Sequence, residues 1–395
     1  MKWSETREPA QAAADVQALF AAEFGGEGPV WSAPGRVNLI GEHVDYAGGI
    51  SVPFALSQRT YVAARSNDDG VYRVASRFGG EVMRETVREV GPGQPTGWVG
   101  YVVGTIWAYG VEGGFDIAIE SDVPVGAGLS SSAALECSAG LAAAELAGDV
   151  DRTRLMEAAI RAENEVVGAS TGGLDQRIAL FAQPGHALAI DFAEDTAEQV
   201  PFDIAARGLA VLVMNTNAPH SLADGQYASR RAVIDGVTAD LNVSSLRYAQ
   251  DAEAQSARWA AAHPQGDVSE WTATVARRVR HVVSEIERTA GAIEQLKAGD
   301  MSGFGESMQA SHASLRDDYE VTVPQLDVAV DVAMSQGALG ARMTGGGFGG
   351  SAIALLPMER VEDTAAAVHA AFAKAGFNEP EFAVALPGAG ARCEA

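Results

Sequence analysis

"VPVGAGLSSSAAL", residues 123–135, is a glycine-and-serine loop that runs straight into a helical pattern. An alternating, strand-like run, "FDIAIES" (115–121), leads into it, and an Ala/Leu helix over 131–147 leaves it. Gly126 and Gly128 let a backbone approach a ligand closely. The helix begins at the serines, so its free N–H groups and the positive end of its dipole face whatever the loop holds. That is the layout of a phosphate-binding loop. The familiar version ends in a lysine, in the pattern G-x-x-x-x-G-K-[ST]. Here Ser130, Ser131 and Ser132 take that place, and the three lysines (Lys2, Lys297, Lys374) lie elsewhere. Serine hydroxyls can donate to an anion or ligate Mg²⁺. The plain alternative is a serine N-cap after a flexible turn, although three serines exceed what capping requires.

Outward from this loop, strands and helices mix without a regular βαβ alternation, so the pattern predicts an α+β fold. Amphipathic helices are expected over 9–24, 98–110 and 152–167, the last N-capped by Asp151 and closed by Gly168. Short β runs are expected between 52 and 82, broken by "NDDG" and "FGGE", and further strands at 186–192 and 209–215. Helical patterns run over 225–262 with interruptions, 272–298 and 359–375, and a strand at 381–387 closes the chain. A length of 395 residues suggests two domains. We expect the boundary after the strand at 186–192, giving domains 1–192 and 193–395.

Composition excludes several function classes. The net charge is −24, which disfavours nucleic acid as a partner and leaves an anionic ligand needing a divalent cation and backbone donors. No run approaches the ~18 apolar residues of a membrane span. The start "MKWSETREPA" has no apolar leader, and two cysteines are too few for a disulfide framework. A cytoplasmic, monomeric protein without membrane partners is expected, with Cys137 a small core residue.

Three further stretches carry chemistry. "APGRVNLIGEHVDYAGG" (33–49) places Arg36, Glu42, His43 and Asp45 within ten residues. Two carboxylates and an imidazole can bond adjacent hydroxyls of a sugar, or ligate a metal. On a strand, however, Glu42 and His43 would point to opposite sides. The alternative is a polar turn between strands. "TGGGFGGS" (344–351) has five glycines in eight residues, costly to order and more than a plain turn needs. It reads as a second close approach to a ligand, or as a tight strand crossing. "GGLDQRIALF" (172–181) sets Asp175 before a helical run, where an N-cap is the ordinary role. Glu163, on the helix before it, reads by itself as a solvated carboxylate.

At these residues a family resemblance emerges. "GRVNLIGEHVDY" resembles the galactokinase signature. "PVGAGLSSSAA" and "GARMTGGGFGG" resemble the second and third motifs of the GHMP small-molecule kinases. The resemblance extends from about residue 30 to 356. It implies a two-domain fold with the active site in the cleft between the domains, and phosphates of ATP held by backbone amides without a lysine. It implies a sugar site of Arg36, Glu42, His43, Asp45, Gly172, Asp175 and Tyr227, with Asp175 and Arg36 catalytic. ATP would be held by Gly126, Ala127, Gly128, Leu129, Ser130, Ser131 and Ser132, with Trp98 and Tyr101 near adenine and Gly346 and Gly347 near the transferred phosphate. Mg²⁺ would sit on Ser132 and Glu163. The implied reaction forms galactose 1-phosphate and ADP from galactose and MgATP. The rivals are a kinase for N-acetylgalactosamine or another C1 sugar, and a non-catalytic galactose/ATP sensor. Departures from the family pattern are Val44 for Thr, Ala47 for Asn and "GGLDQ" for "GIMDQ". None removes a catalytic side chain, and Ala47 bears on fine sugar specificity.

Overall fold

The computed structural model describes residues 1–78, 80–169, 171–218 and 225–394. Gly79 of the expected "FGGE" turn and residues 219–224 before Tyr227 lie outside the described residues. The chain forms two compact units, each assembled from separated segments.

One unit comprises Met1–Ser4, Val37–Phe54 and Gly185–Leu386. Its main sheet has the strand order Lys2–Trp3, Glu381–Ala385, Leu209–Asn215, Ser351–Pro357, Gly340–Thr344. Leu209–Asn215 lies at the centre, antiparallel to both neighbours. All but its last residue are buried, which is why "LAVLVMN" is apolar throughout instead of alternating. The helices Val268–Ala298, Met301–Asp317, Pro324–Ser335 and Val361–Ala375 close this core with Val279, Val282, Ile286, Leu315, Leu326 and Phe372. The first of these begins before the expected residue 272, because Asp267 caps it by accepting from the Glu270 N–H at 2.9 Å.

A smaller sheet in the same unit joins Ile50–Ser51 to His186–Asp191 and Thr196–Pro201. That antiparallel pairing takes segment 37–54 out of linear order and groups it with the later half of the chain. The junction after Pro184 therefore lies a little before the expected boundary at 192, and the units are not consecutive halves.

The other unit comprises Glu5–Arg36, Ala55–Pro184 and Pro387–Ala395. Its six-stranded sheet has the order Arg392–Glu394, Val30–Asn38, Pro53–Asn67, Gly114–Ser121, Tyr72–Phe78, Glu81–Val87. Tyr72–Phe78 and Gly114–Ser121 pair in parallel, so the chain between them must cross over, and it does so through the helix Val99–Tyr109. That helix packs with Ser131–Leu146 and Arg152–Arg161, against which Leu174–Phe181 also packs, burying Val102, Ile106, Leu141 and Leu155; Cys137 is a core residue, as expected. Asp151 caps its helix through the Thr153 and Arg154 N–H groups. The last turn of the expected 152–167 helix is π-helical, Ala162–Val167, and ends at the left-handed Gly168. Such turns are rare and cluster at functional sites. Among the described residues no helix is long and apolar enough to cross a membrane.

Candidate active site

Ser130 stands at the N-cap position of the helix Ser131–Leu146, with left-handed backbone (φ 57°) and no side-chain capping bond. Its hydroxyl instead donates to the Asp175 carboxylate. The capping alternative therefore fails, and the first N–H groups of the helix keep no side-chain partner from Ser130. Gly126 and Gly128 are also left-handed (φ 77° and 74°), and a Cβ on Gly126 would meet nothing within 4 Å. Arg36 fixes the loop from beside it. Its backbone N–H donates to the Leu129 carbonyl at 3.0 Å, and its Nη1 donates to the Gly128 carbonyl at 2.6 Å.

Arg36 Nε reaches Asp175 Oδ1 at 2.8 Å. Asp175 is not the cap of its helix. The helix is Leu174–Phe181, and the left-handed Gly173 (φ 87°) holds the cap position without a side-chain bond. The aspartate lies one residue inside, where its carboxylate is free to take Arg36 on one oxygen and Ser130 on the other. Gly172, just before, is exposed.

Glu163 is not a solvated carboxylate. Gln176 Nε2 donates to it at 2.6 Å and to the buried Glu136 at 2.8 Å, bridging two acids through one amide. Burial pushes the Glu163 carboxyl up to about 7, with the nearby Asp175 charge adding to the effect. Glu136 is also pushed well up, by burial and then by Glu163, and its Oε1 has no hydrogen-bond partner. Crowded, buried acids of this kind favour a bound cation. The donors expected for Mg²⁺, the Ser132 hydroxyl and the Glu163 carboxylate, are the hard oxygens that ion selects. Among the described residues no three acidic, His or Cys side chains form a metal cage. Ser132 and Glu163 would supply two such oxygens, with phosphate and water completing the coordination of Mg²⁺.

Ser131 and Ser132 also line a cavity of about 490 Å³ with Trp98, Tyr101, Leu135 and Val125. Its walls are mainly apolar, with Trp98 and Tyr101 as the aromatic side chains. Burial raises the Tyr101 phenol, and Glu163 and Glu136 raise it further.

A second cluster forms in the unit holding segment 37–54. Glu42 and His43 do not lie on a strand. They occupy the turn between Asn38 and the short 3₁₀ turn Asp45–Ala47, and His43 is left-handed (φ 59°), so the expected alternation does not apply. Both side chains reach the third glycine motif. The Glu42 carboxylate accepts from the Gly345 N–H, the Asn38 amide and the Thr344 hydroxyl, and the fully buried Arg342 lies 4.0 Å away. His43 Nε2 meets the Gly346 carbonyl at 3.1 Å. A carbonyl only accepts, so Nε2 carries the proton and Nδ1 takes the Tyr46 hydroxyl at 3.3 Å. Burial lowers the His43 imidazole to about 3, so it is neutral. Its ring lies 5.3 Å from Tyr227 and 5.0 Å from Tyr319. Asp45 opens the 3₁₀ turn, and its charge acts on Tyr46 and Tyr319. Gly347 (φ 76°) packs its backbone against Val321, whereas a Cβ on Gly346 would touch only Tyr227, at 3.8 Å.

Residues 18–66 match the family model described as the galactokinase galactose-binding signature, and 100–183 and 292–376 match the N-terminal and C-terminal GHMP kinase models. A galactokinase of Streptomyces coelicolor is 43% identical over 380 residues, covering 95% of each chain. The chain belongs to the galactokinase family. A crystal structure of Lactococcus lactis galactokinase complexed with galactose superposes with a TM-score of 0.85 at 34% identity, over 96% of this chain and 99% of that one. Methanococcus jannaschii mevalonate kinase, at 15% identity and a TM-score of 0.62 over 92% and 99%, shares the fold. Membership of the galactokinase family implies ATP as co-substrate.

The structure adds residues to the galactokinase motifs that sequence reading missed. Gln176 stood in the quoted "GGLDQ" but carried no assigned role, and Glu136 was hidden in "AALECSAGL". The available signal was a single acid among small apolar residues on a helix that must be buried.

Proposed function

We propose that this chain transfers the γ-phosphoryl group of ATP to the anomeric hydroxyl of galactose, giving galactose 1-phosphate and ADP. The observation that carries the mechanism is the Arg36–Asp175–Ser130 contact, which turns Asp175 away from its own helix and into a charge-assisted network. Glu42, His43, Asp45 and Tyr227 select the sugar through its hydroxyls, with Arg36, Gly172 and Asp175 at its reacting end. A mismatched epimer leaves such polar groups unpaired, and this mode of selection is strong. Backbone N–H groups over 126–132 bind the β- and γ-phosphates, Trp98 and Tyr101 flank the base, and Gly346 and Gly347 lie by the transferred group.

In the reaction the anomeric oxygen forms a bond to the γ-phosphorus as the bond from that phosphorus to the β–γ bridging oxygen breaks. The hydroxyl proton passes to the Asp175 carboxylate, and ADP leaves with the electron pair. Arg36 offsets the charge on the transferring oxygens. Mg²⁺, held by Ser132 and Glu163 together with phosphate oxygens, would supply charge neutralisation. We further propose a cytoplasmic monomer without nucleic-acid or membrane partners. The net charge of −24 supports the exclusion of nucleic acid.

The test is sugar-dependent ADP release across galactose, glucose and N-acetylgalactosamine. Much higher kcat/KM for galactose is the expected result. Comparable efficiency with N-acetylgalactosamine overturns the galactose assignment, and absence of turnover with every sugar would point to a sensor.

A further inference from the structure

The long helix Val268–Ala298 has a polar seam inside an otherwise apolar face. His281 and Glu285 are one turn apart, so they share that face, and both are fully buried. Glu285 Oε1 accepts from the Gly41 N–H at 3.0 Å, and His281 Nε2 meets the Glu42 carbonyl at 3.2 Å. One helix thus binds the donor of one peptide and the acceptor of the next but one. Between these two atoms lie only the backbone torsions of Gly41 and Glu42, which set where the Glu42 and His43 side chains point.

The chemistry of each grip is determined. The Glu42 carbonyl can only accept, so His281 must carry its proton on Nε2, and Nδ1 meets the Ser314 hydroxyl at 2.9 Å, which also lies 3.2 Å from Asp318 Oδ2. Burial lowers the His281 imidazole, which favours the neutral ring. Glu285 is steadied by the Ser311 hydroxyl at 2.6 Å and paired with Arg288. Gly41 is itself left-handed (φ 86°), and a Cβ there would collide with the Ile50 carbonyl, so the turn is pressed between the helix and the strand Ile50–Ser51. Ser51 Oγ donates to the Gly41 carbonyl at 2.7 Å from the other side.

We propose that His281 and Glu285 are positioning residues for sugar recognition: together they clamp the 41–42 backbone and so hold Glu42 and His43 in the orientation that receives the sugar. The proposal rests on the galactose reading above. Neither residue contacts the sugar itself. Their loss therefore weakens sugar binding and leaves phosphoryl transfer from a saturated site largely intact.

The test compares His281→Leu with His281→Gln, whose amide can still donate to the Glu42 carbonyl. Losing one such bond should raise the KM for galactose about 10-fold. The kcat at saturating galactose and the KM for MgATP should stay within about 3-fold, and the Gln variant should recover most of the loss. Hydrogen exchange of the sugar-free protein gives a readout independent of any substrate: amides of 39–46 should exchange faster in the Leu variant, with those of 290–298 unchanged. Because Glu285→Ala removes the partner of the half-buried Arg288, Ser311→Ala and Ser314→Ala serve as milder variants at each grip, each raising the KM a few-fold. An unchanged KM in these variants, no advantage of Gln over Leu, or a fall in kcat alone overturns the proposal. A parent protein that phosphorylates no galactose removes the galactose reading, and the exchange rates still decide the clamp.

Discussion

Arg36 and Asp175, 139 positions apart in the chain, meet through a 2.8 Å contact between Nε and Oδ1, with Ser130 donating to the second carboxylate oxygen. The pair lies at the mouth of the phosphate loop, because Arg36 also binds the Gly128 and Leu129 carbonyls. Its value is in the chemistry. The Arg36 and Asp175 side chains are 12% and 23% exposed, so they retain access to a ligand.

Asp175→Asn keeps the shape and a hydrogen bond to Arg36 or Ser130 but cannot accept a proton. The kcat should fall by about 10²–10⁴, the ordinary range for general-base catalysis. Galactose and MgATP should bind within a few-fold of the parent. Single-turnover phosphoryl transfer beside calorimetric titration reads both, and near-normal turnover removes Asp175 as the base.

In the proposed Mg²⁺ site, Glu163, with its carboxyl pushed up to about 7, would couple cation binding to pH. Below that value the carboxyl is protonated, and a cation must displace the proton. Binding of Mg²⁺ with nucleotide should therefore release a proton near pH 7 and weaken as pH falls further. Calorimetry in buffers of different ionisation enthalpy measures the release. Glu163→Gln should abolish it and raise the Mg²⁺ concentration for half-maximal rate, leaving the galactose Kd unmoved. An unchanged Mg²⁺ titration returns Glu163 to a structural role.

His43, buried and lowered to about 3, makes folding sensitive to acid. Above its unfolded value near 6.5 both states are neutral and its contribution to stability is fully present. As pH falls from 6.5 towards 3 the unfolded chain takes up a proton that the folded chain refuses, so stability declines across that window. His43→Asn tolerates the left-handed backbone. It should lower the Tm at neutral pH but give a shallower decline between pH 6.5 and 4. His281, also lowered by burial, leaves the decline shallower and not flat.

Two glycine loops separate binding from folding. Gly126→Ala places a Cβ in open space at φ 77°, a strain of about 1 kcal/mol, and narrows the approach to phosphate. It should raise the KM for MgATP with little change in Tm. Gly347→Ala drives a Cβ into the Val321 backbone, with Val321 Cβ only 2.9 Å away, and should cost about 2 kcal/mol or more of stability. Equal effects of the two on Tm would remove the distinction.

Much of this protein was legible in the residue order. The patterns over 98–121, 131–147, 186–192, 209–215 and 359–375 anticipated elements that the structure contains, whereas the strands Thr196–Pro201 and Gly340–Thr344 were not anticipated. Read with the galactokinase resemblance, the first two motifs and the "GGLDQ" stretch also named Arg36, Ser130 and Asp175. Local spacing could not supply the rest. Asp175 reads as a cap until Gly173 takes that position, and Glu163 reads as a surface acid until Gln176 ties it to Glu136. His281 and Glu285 look like ordinary polar residues on a long helix, since their partners are backbone atoms some 240 positions earlier. Sequence determined which faces must be buried, because that is a short-range pattern of side-chain type. Only the tertiary structure decided which polar groups meet inside, because a buried donor or acceptor must find a partner wherever the folded chain brings one.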